Sequence, residues 1–137
     1  MKLSTRSRYG TRVILDLAEH YGKGFIQLHE IAKRQGISLK YLEQIIIPLR
    51  KAGYVKSTRG AGGGYKLAKA PEKISVGEIV TLLEGSDQLT ECSARPETCE
   101  RSEECLTRSL WTETAASMYG KLNSVTLSDV LASGKRI

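Results

Sequence analysis

Residues 28–51 read LHEIAKRQGISLKYLEQIIIPLRK, and residues 54–68 read YVKSTRGAGGGYKLA. In the first stretch the apolar residues Leu28, Ile31 and Ala32 recur at three- and four-residue steps, which places them on one face of a short helix. Gly36 breaks the period, and Ser38 follows as an N-cap whose hydroxyl accepts from an unpaired backbone N–H of a second helix. Ala32, Gly36, Ile37, Leu42 and Ile45 occupy the positions a helix-turn-helix requires. The small Ala32 lets two helices cross closely, Gly36 makes the turn, and the later apolar residues hold the second helix on the first. An ordinary helical hairpin with Lys33, Arg34 and Lys40 as a solvated face is the plainer alternative. Pro48 removes one backbone donor from the second helix, but the apolar period runs on through Leu49, so a bend is expected rather than a stop.

The second stretch alternates like a strand over Tyr54–Thr58, turns through Arg59 and the glycines 60 and 62–64, and alternates again over Tyr65–Ala68. That is a β-hairpin with charge and bare backbone at its tip. A phosphate-cradling nucleotide loop would need Gly-Lys-Ser/Thr leading into a helix, whereas this loop leads into a strand. A helix-turn-helix followed by a basic hairpin is a winged helix, with its second helix in the major groove and its wing against phosphate or the minor groove. The expected architecture is mainly α with a small β-hairpin wing.

Outside these stretches, apolar residues at helical spacing (Val13, Ile14, Leu17, Ala18, Tyr21) predict a helix over 8–21 that ends at Gly22-Lys23-Gly24. Phe25–Leu28 reads as a short strand, and 74–84 as a helix that closes the first domain. From about Cys105 the helical period returns with Leu106, Leu110, Trp111, Ala115, Met118 and Leu122, a stripe best used as a homodimer seam, the alternative being that it folds back on the N-terminal helix as core. A short helix is expected at Thr126–Leu131. The boundaries drawn are 1–84 for a winged helix-turn-helix domain (helix-turn-helix about 28–51, wing about 54–68), 85–105 for a cysteine-bearing loop, and 106–137 for a dimerisation helix and tail.

Charge follows the same division. The chain of 137 residues carries a formal charge of +6. Between Lys33 and Lys69, however, there are nine basic side chains and one acid, Glu43, while residues 91–105 carry two basic and five acidic side chains. All three cysteines, Cys92, Cys99 and Cys105, lie in that acidic stretch. A basic surplus suggests nucleic acid or an anionic surface, and here it is concentrated in one stretch. No apolar run approaches the ~18–20 residues of a membrane span, and the basic N-terminus has no apolar segment behind it, so no secretory signal is expected. The setting is read as cytoplasmic, with no membrane partner. An odd number of thiols there argues against a disulfide framework. Their C-x6-C-x5-C spacing leaves four uses open: an iron–sulfur cluster, zinc, redox thiols, or unliganded cysteines. No nucleophile–base or acid–base constellation is visible, so neither an enzyme nor a small-molecule substrate is expected.

Several motifs together resemble the Rrf-two family of bacterial winged-helix transcription regulators, and within it the members that control iron–sulfur cluster assembly. They are Met1-Lys2-Leu3-Ser4 with Arg8-Tyr9, Tyr41-Leu42-Glu43-Gln44, Leu49-Arg50-Lys51-Ala52-Gly53, Arg59-Gly60 with Gly62-Gly63-Gly64-Tyr65, Val76-Gly77-Glu78, Cys105-Leu106-Thr107 with Leu110-Trp111, and Thr126-Leu127. The resemblance spans nearly the whole chain. It implies a homodimer that binds a double-stranded operator under control of an iron–sulfur cluster, 2Fe–2S or alternatively 4Fe–4S. Cys92, Cys99 and Cys105 match its three thiolate ligands, Glu43 its operator-discriminating residue, and Arg59 its wing-tip DNA contact. Ser38, Lys40 and Tyr41 on the second helix, and Gly60, Gly62 and Gly63 in the wing, complete the expected DNA surface. The chain departs from the pattern at Arg108, where the cluster-assembly regulators carry a histidine ligand, because a guanidinium has no lone pair to donate. Where nitric-oxide-sensing relatives carry an acid near the N-terminus, this chain has Arg8. Members of the family that sense nitric oxide, iron or thiol oxidation, and a cluster-carrying scaffold that binds no DNA, are the alternatives.

Overall fold

The computed structural model describes residues 2–134. Helix α1 (Thr5–Glu19) is followed by α2 (Leu28–Gln35) and α3 (Leu39–Lys51). Strands β1 (Val55–Thr58) and β2 (Gly64–Leu67) come next, then α4 (Val76–Glu84), the short α5 (Glu91–Ala94), the long α6 (Leu106–Asn123) and α7 (Leu127–Ser133). The strands pair antiparallel, with Val55 opposite Leu67 and Thr58 opposite Gly64. The architecture is the expected one, mostly helical with a two-stranded wing.

Helices α1, α3, α4 and α7 each start on a side chain that satisfies a free backbone N–H. Ser4, Ser38, Ser75 and Thr126 accept from backbone N–H three residues on, and Glu78 and Asp129 return the bond to complete capping boxes. Helix α1 therefore begins at Thr5 rather than Arg8. It ends at Glu19, which leaves Tyr21 exposed rather than on the buried stripe. Phe25–Leu28 is not a full strand. It supplies one bridge, Ile26 to Tyr65, with both N–O distances at 2.8 Å.

One core gathers Val13, Ile14 and Leu17 of α1, Ile31 of α2, Leu42, Ile45 and Leu49 of α3, and Ile79 of α4, each at most 1% exposed. Burying side chains of this size is worth about 1.5–3 kcal/mol each. Helix α3 runs through Pro48 to Lys51, and Leu49 beyond the proline is fully buried. The C-terminal end of the described chain returns to the same core. Leu127 is fully buried, its N–H donates to the Ile74 carbonyl (2.9 Å), and the Val76 N–H donates to Val125 (2.8 Å). Helix α6 crosses α4 at Gly77, where a Cβ would overlap the Asn123 side chain. Only glycine allows that approach.

The stripe expected along α6 divides. Ala115 is fully buried, and Tyr119 is nearly so, with its hydroxyl donating to the Ser86 carbonyl at 3.2 Å. Leu106, Leu110 and Trp111 are 92%, 52% and 40% exposed. The half of the stripe toward the cysteine loop is thus bare in the single chain.

Candidate nucleic-acid interface and cysteine loop

Helix α3 buries Leu42, Ile45, Ile46 and Leu49, a spacing that turns one face wholly inward. The opposite face exposes Leu39, Lys40, Glu43, Gln44 and Ile47, with Arg50 and Lys51 also exposed at its end. Gly36 in the left-handed conformation ends α2, and Ser38 caps α3, its hydroxyl accepting from the Tyr41 N–H at 3.2 Å. Tyr41 is half-buried against α1, edge-on to Tyr9 at 5.9 Å between ring centroids. The Arg12 guanidinium lies 5.3 Å from the Tyr9 ring centre. Tyr41 therefore both borders the reading face and fixes α3 to α1.

A buried carboxylate holds the turn before α3. Asp16 of α1 is 2% exposed and accepts from Arg34 Nε (3.0 Å) and Nη2 (2.7 Å) and from Gln35 Nε2 (2.9 Å). Burial pushes its carboxyl up, but the hydrogen bonds from Arg34 and Gln35 and the Arg34 charge outweigh this and hold it below the usual aspartate value. Arg12 in turn hydrogen-bonds to the Gln35 carbonyl. Arg34, a solvated charge in the plainer helical-hairpin alternative, is thus paired. Nothing local marks its partner, which lies 18 residues away.

In the wing, Arg59, Gly60 and Gly62 are exposed at the tip and Gly63 is buried behind them. The Gly63 N–H donates to Gly60 (3.0 Å), and its carbonyl accepts from Gln27 Nε2 (2.9 Å), tying the turn to the start of α2. The wing base is tied to α4 through the Tyr54 hydroxyl, which donates to Glu78 at 3.1 Å. Ser38, Lys40 and Glu43 on α3 and Arg59, Gly60 and Gly62 on the wing are thus all solvent-facing.

The cysteine stretch holds short helical turns, α5 and Pro96–Thr98, rather than wholly irregular chain. Cys99 is exposed, and Cys92 and Cys105 are half-buried. Cys92 Sγ lies 3.2 Å from the Thr90 hydroxyl, and Cys105, at the N-cap of α6, lies 3.2 Å from the Thr107 hydroxyl. The Thr107 hydroxyl and the backbone N–H groups of Arg108 and Thr107 hold the Cys105 thiol below its ordinary value. Arg108 points back toward the loop and donates to the Ser102 carbonyl at 3.3 Å. Thiolates suit iron–sulfur or zinc chemistry. Among the described residues, however, no group of three or more His, Cys, Asp or Glu side chains is placed to hold a metal ion. In this arrangement the loop does not fit a bound cluster.

A helix-turn-helix bare on its basic side, continued by a basic hairpin, defines a winged-helix DNA-binding protein. Residues 3–133 match the Rrf2 family, described as an iron-dependent transcriptional regulator, and the chain belongs to that family. It is 52% identical over 131 residues to Protein rrf2 of Nitratidesulfovibrio vulgaris, covering 96% of this chain and 87% of that one. Two solved structures are similar. T. potens IscR has a TM-score of 0.79 and 43% identity, covering 98% of this chain and 89% of its own. CymR, the global cysteine regulator of B. subtilis, has a TM-score of 0.78 and 40% identity, covering 99% of each. The chain is a transcription regulator of this type, in agreement with the expectation that it is not an enzyme. Among the described residues no helix is long and apolar enough to cross a membrane.

Proposed function

We propose that this chain is a cytoplasmic homodimeric regulator that binds a double-stranded operator through α3 and the wing, and that the cysteine loop governs this binding. The observation that carries the reading is the bare face of α3, basic at its rim and held by an inward-turned row of four apolar residues. Ser38, Lys40, Tyr41 and Glu43 address bases and backbone. Glu43 is suited to accept from cytosine N4–H, because a carboxylate rejects acceptor-rich edges. Arg59 with Gly60, Gly62 and Gly63 lies against phosphate or the minor groove. Leu106, Leu110 and Trp111 form the seam between two copies, which places two reading helices on half-sites about one helical turn, ~34 Å, apart.

Binding should be measured as fluorescence anisotropy on an operator selected from random DNA, over a range of salt. Lys40→Ala and Arg59→Ala should each weaken binding and flatten the salt slope by roughly one unit if each side chain contacts a phosphate. Unchanged affinity and slope in both variants would remove the winged-helix mechanism.

The sensing chemistry has two readings. Three thiols within the loop and the relation to an IscR support an iron–sulfur cluster on Cys92, Cys99 and Cys105, 2Fe–2S in the first instance, with cluster biogenesis genes as targets. That reading requires the loop to close, and Arg108 cannot serve as the fourth ligand. The observed arrangement favours the second reading, in which the ungathered thiols, Cys105 foremost, respond directly to oxidation. Native mass spectrometry of anaerobically purified protein separates them. Added iron and sulfide mass on a dimer supports the cluster, and a colourless chain of bare mass supports the thiols.

A further inference from the structure

We propose that Leu39 and Ile47 read the C5-methyl groups of thymines flanking the base addressed by Glu43. This rests on α3 being the helix that enters the major groove.

Helix α3 has six apolar residues besides Pro48 and Tyr41, and it uses only four of them in the core. Leu42, Ile45, Ile46 and Leu49 are at most 2% exposed, whereas Leu39 and Ile47 are 44% and 42% exposed. These two are not scattered. Positions 39, 43 and 47 step by four, so Leu39, Glu43 and Ile47 form one row along the outward face, each about 6 Å further along the axis. The row is apolar, acidic, apolar, and it is bordered by exposed Lys40, Gln44, Arg50 and Lys51.

The charge of this surface chooses the occupant. Between Lys33 and Lys69 the chain has nine basic side chains against the single acid Glu43, which suits a polyanion and does not suit an apolar protein partner. Two exposed aliphatic side chains on such a surface gain nothing from phosphate. The major groove offers one apolar group, the thymine C5-methyl, and aliphatic contact with it is a direct form of base readout. A spacing of ~6 Å along the helix corresponds to one to two base-pair steps of ~3.4 Å. Leu39 and Ile47 therefore bracket the base that Glu43 addresses, one on each side. Cytosine offers an N4–H donor to Glu43 and no methyl, and thymine offers a methyl and no such donor, so the row distinguishes the two pyrimidines position by position.

The test uses the full-length protein and an operator selected by it from random DNA. Each thymine is replaced in turn by deoxyuridine, which keeps every hydrogen-bonding group and removes only the methyl. Binding is read by anisotropy at fixed salt. At two positions flanking the one whose base preference changes in Glu43→Ala, the replacement should weaken wild-type binding about fourfold, the ratio that corresponds to burial of one methyl group. Leu39→Ala should abolish the response at one of these positions and Ile47→Ala at the other. Leu39→Gln and Ile47→Gln, which keep side-chain length and put a polar amide where the methyl contact would be, serve as second variants should an alanine variant fail to fold. A selected operator whose affinity is indifferent to every uracil overturns the proposal and leaves the DNA-binding reading standing. So does full methyl sensitivity in both variants, or a change in self-association in place of the methyl response. If the protein enriches no sequence at all, the reading of α3 falls and this proposal falls with it.

Discussion

Replacing Arg34 by alanine would strand the Asp16 carboxylate. The Asp16 side chain is 1% exposed and takes two of its three side-chain hydrogen bonds from Arg34, at 3.0 and 2.7 Å, leaving Gln35 at 2.9 Å as the remaining donor. Removing one partner of a fully buried pair costs about 3–5 kcal/mol. Here the Arg34 side chain is itself 39% exposed, and its loss opens a path for water, so the expected penalty is about 2–3 kcal/mol. That corresponds to a fall in melting temperature of roughly 10 °C at equal protein concentration. The pH dependence identifies the cause. Asp16 titrates below its ordinary value in the folded wild type, so its stabilisation is complete above that value and is lost as pH falls through the folded one. In Arg34→Ala only burial and a weaker set of partners act, the folded value rises, and protonation relieves the variant as pH falls. The stability gap should therefore be full at pH 7 and shrink on acidification through the carboxylate range. Adding Asp16→Asn to the variant should recover part of the loss at pH 7. Urea unfolding at pH 7 and pH 4 measures both. A gap under about 0.5 kcal/mol, or one that does not change with pH, would refute the buried-carboxylate argument.

Three further outcomes follow from the geometry. Gly64 has φ +135°, and a Cβ there would overlap the Ile26 carbonyl, whereas at Gly62 nothing lies within 4 Å. Gly64→Ala should lose about 3 kcal/mol or more in urea unfolding, and Gly62→Ala less than about 0.5 kcal/mol. Leu110→Glu together with Leu106→Glu should shift sedimentation toward the monomer and weaken operator binding, while barely changing the helix content of each chain, because both side chains are exposed. Glu43→Ala should change which base is selected at one operator position while leaving the salt slope nearly unchanged, since a base contact displaces no counterion.

Much of the reading head was legible because its determinants are local. The Ser38 cap, the Gly36 turn and the inward row Leu42, Ile45, Ile46, Leu49 are set by neighbours within one or two turns, so spacing alone locates them. The alternation on either side of the glycine-rich tip did the same for the wing. Tyr21 falls outside α1 because the apolar period runs on past His20, where the chain leaves the helix. Charge marks the candidate DNA surface in the sequence, whereas the exposure of Leu39 and Ile47 beside Glu43 does not follow from spacing. Periodicity shows which residues share a face. It does not show that a six-residue apolar set is larger than the core can take.

The sequence by itself determined the winged-helix class, the concentration of positive charge in the reading half and the confinement of every thiol to an acidic loop. These depend on residue type and short-range spacing. Only the tertiary structure decided that Asp16 clamps Arg34 and Gln35, that Leu127 returns to seal Ile74, and that α6 buries Ala115 and Tyr119 while leaving Leu106, Leu110 and Trp111 bare. It also decided that the three cysteines do not meet in this arrangement. The reason is common to all four. Whether a charge is paired, a stripe covered or a donor set gathered depends on what the fold brings from elsewhere in the chain, and sequence spacing carries no record of that.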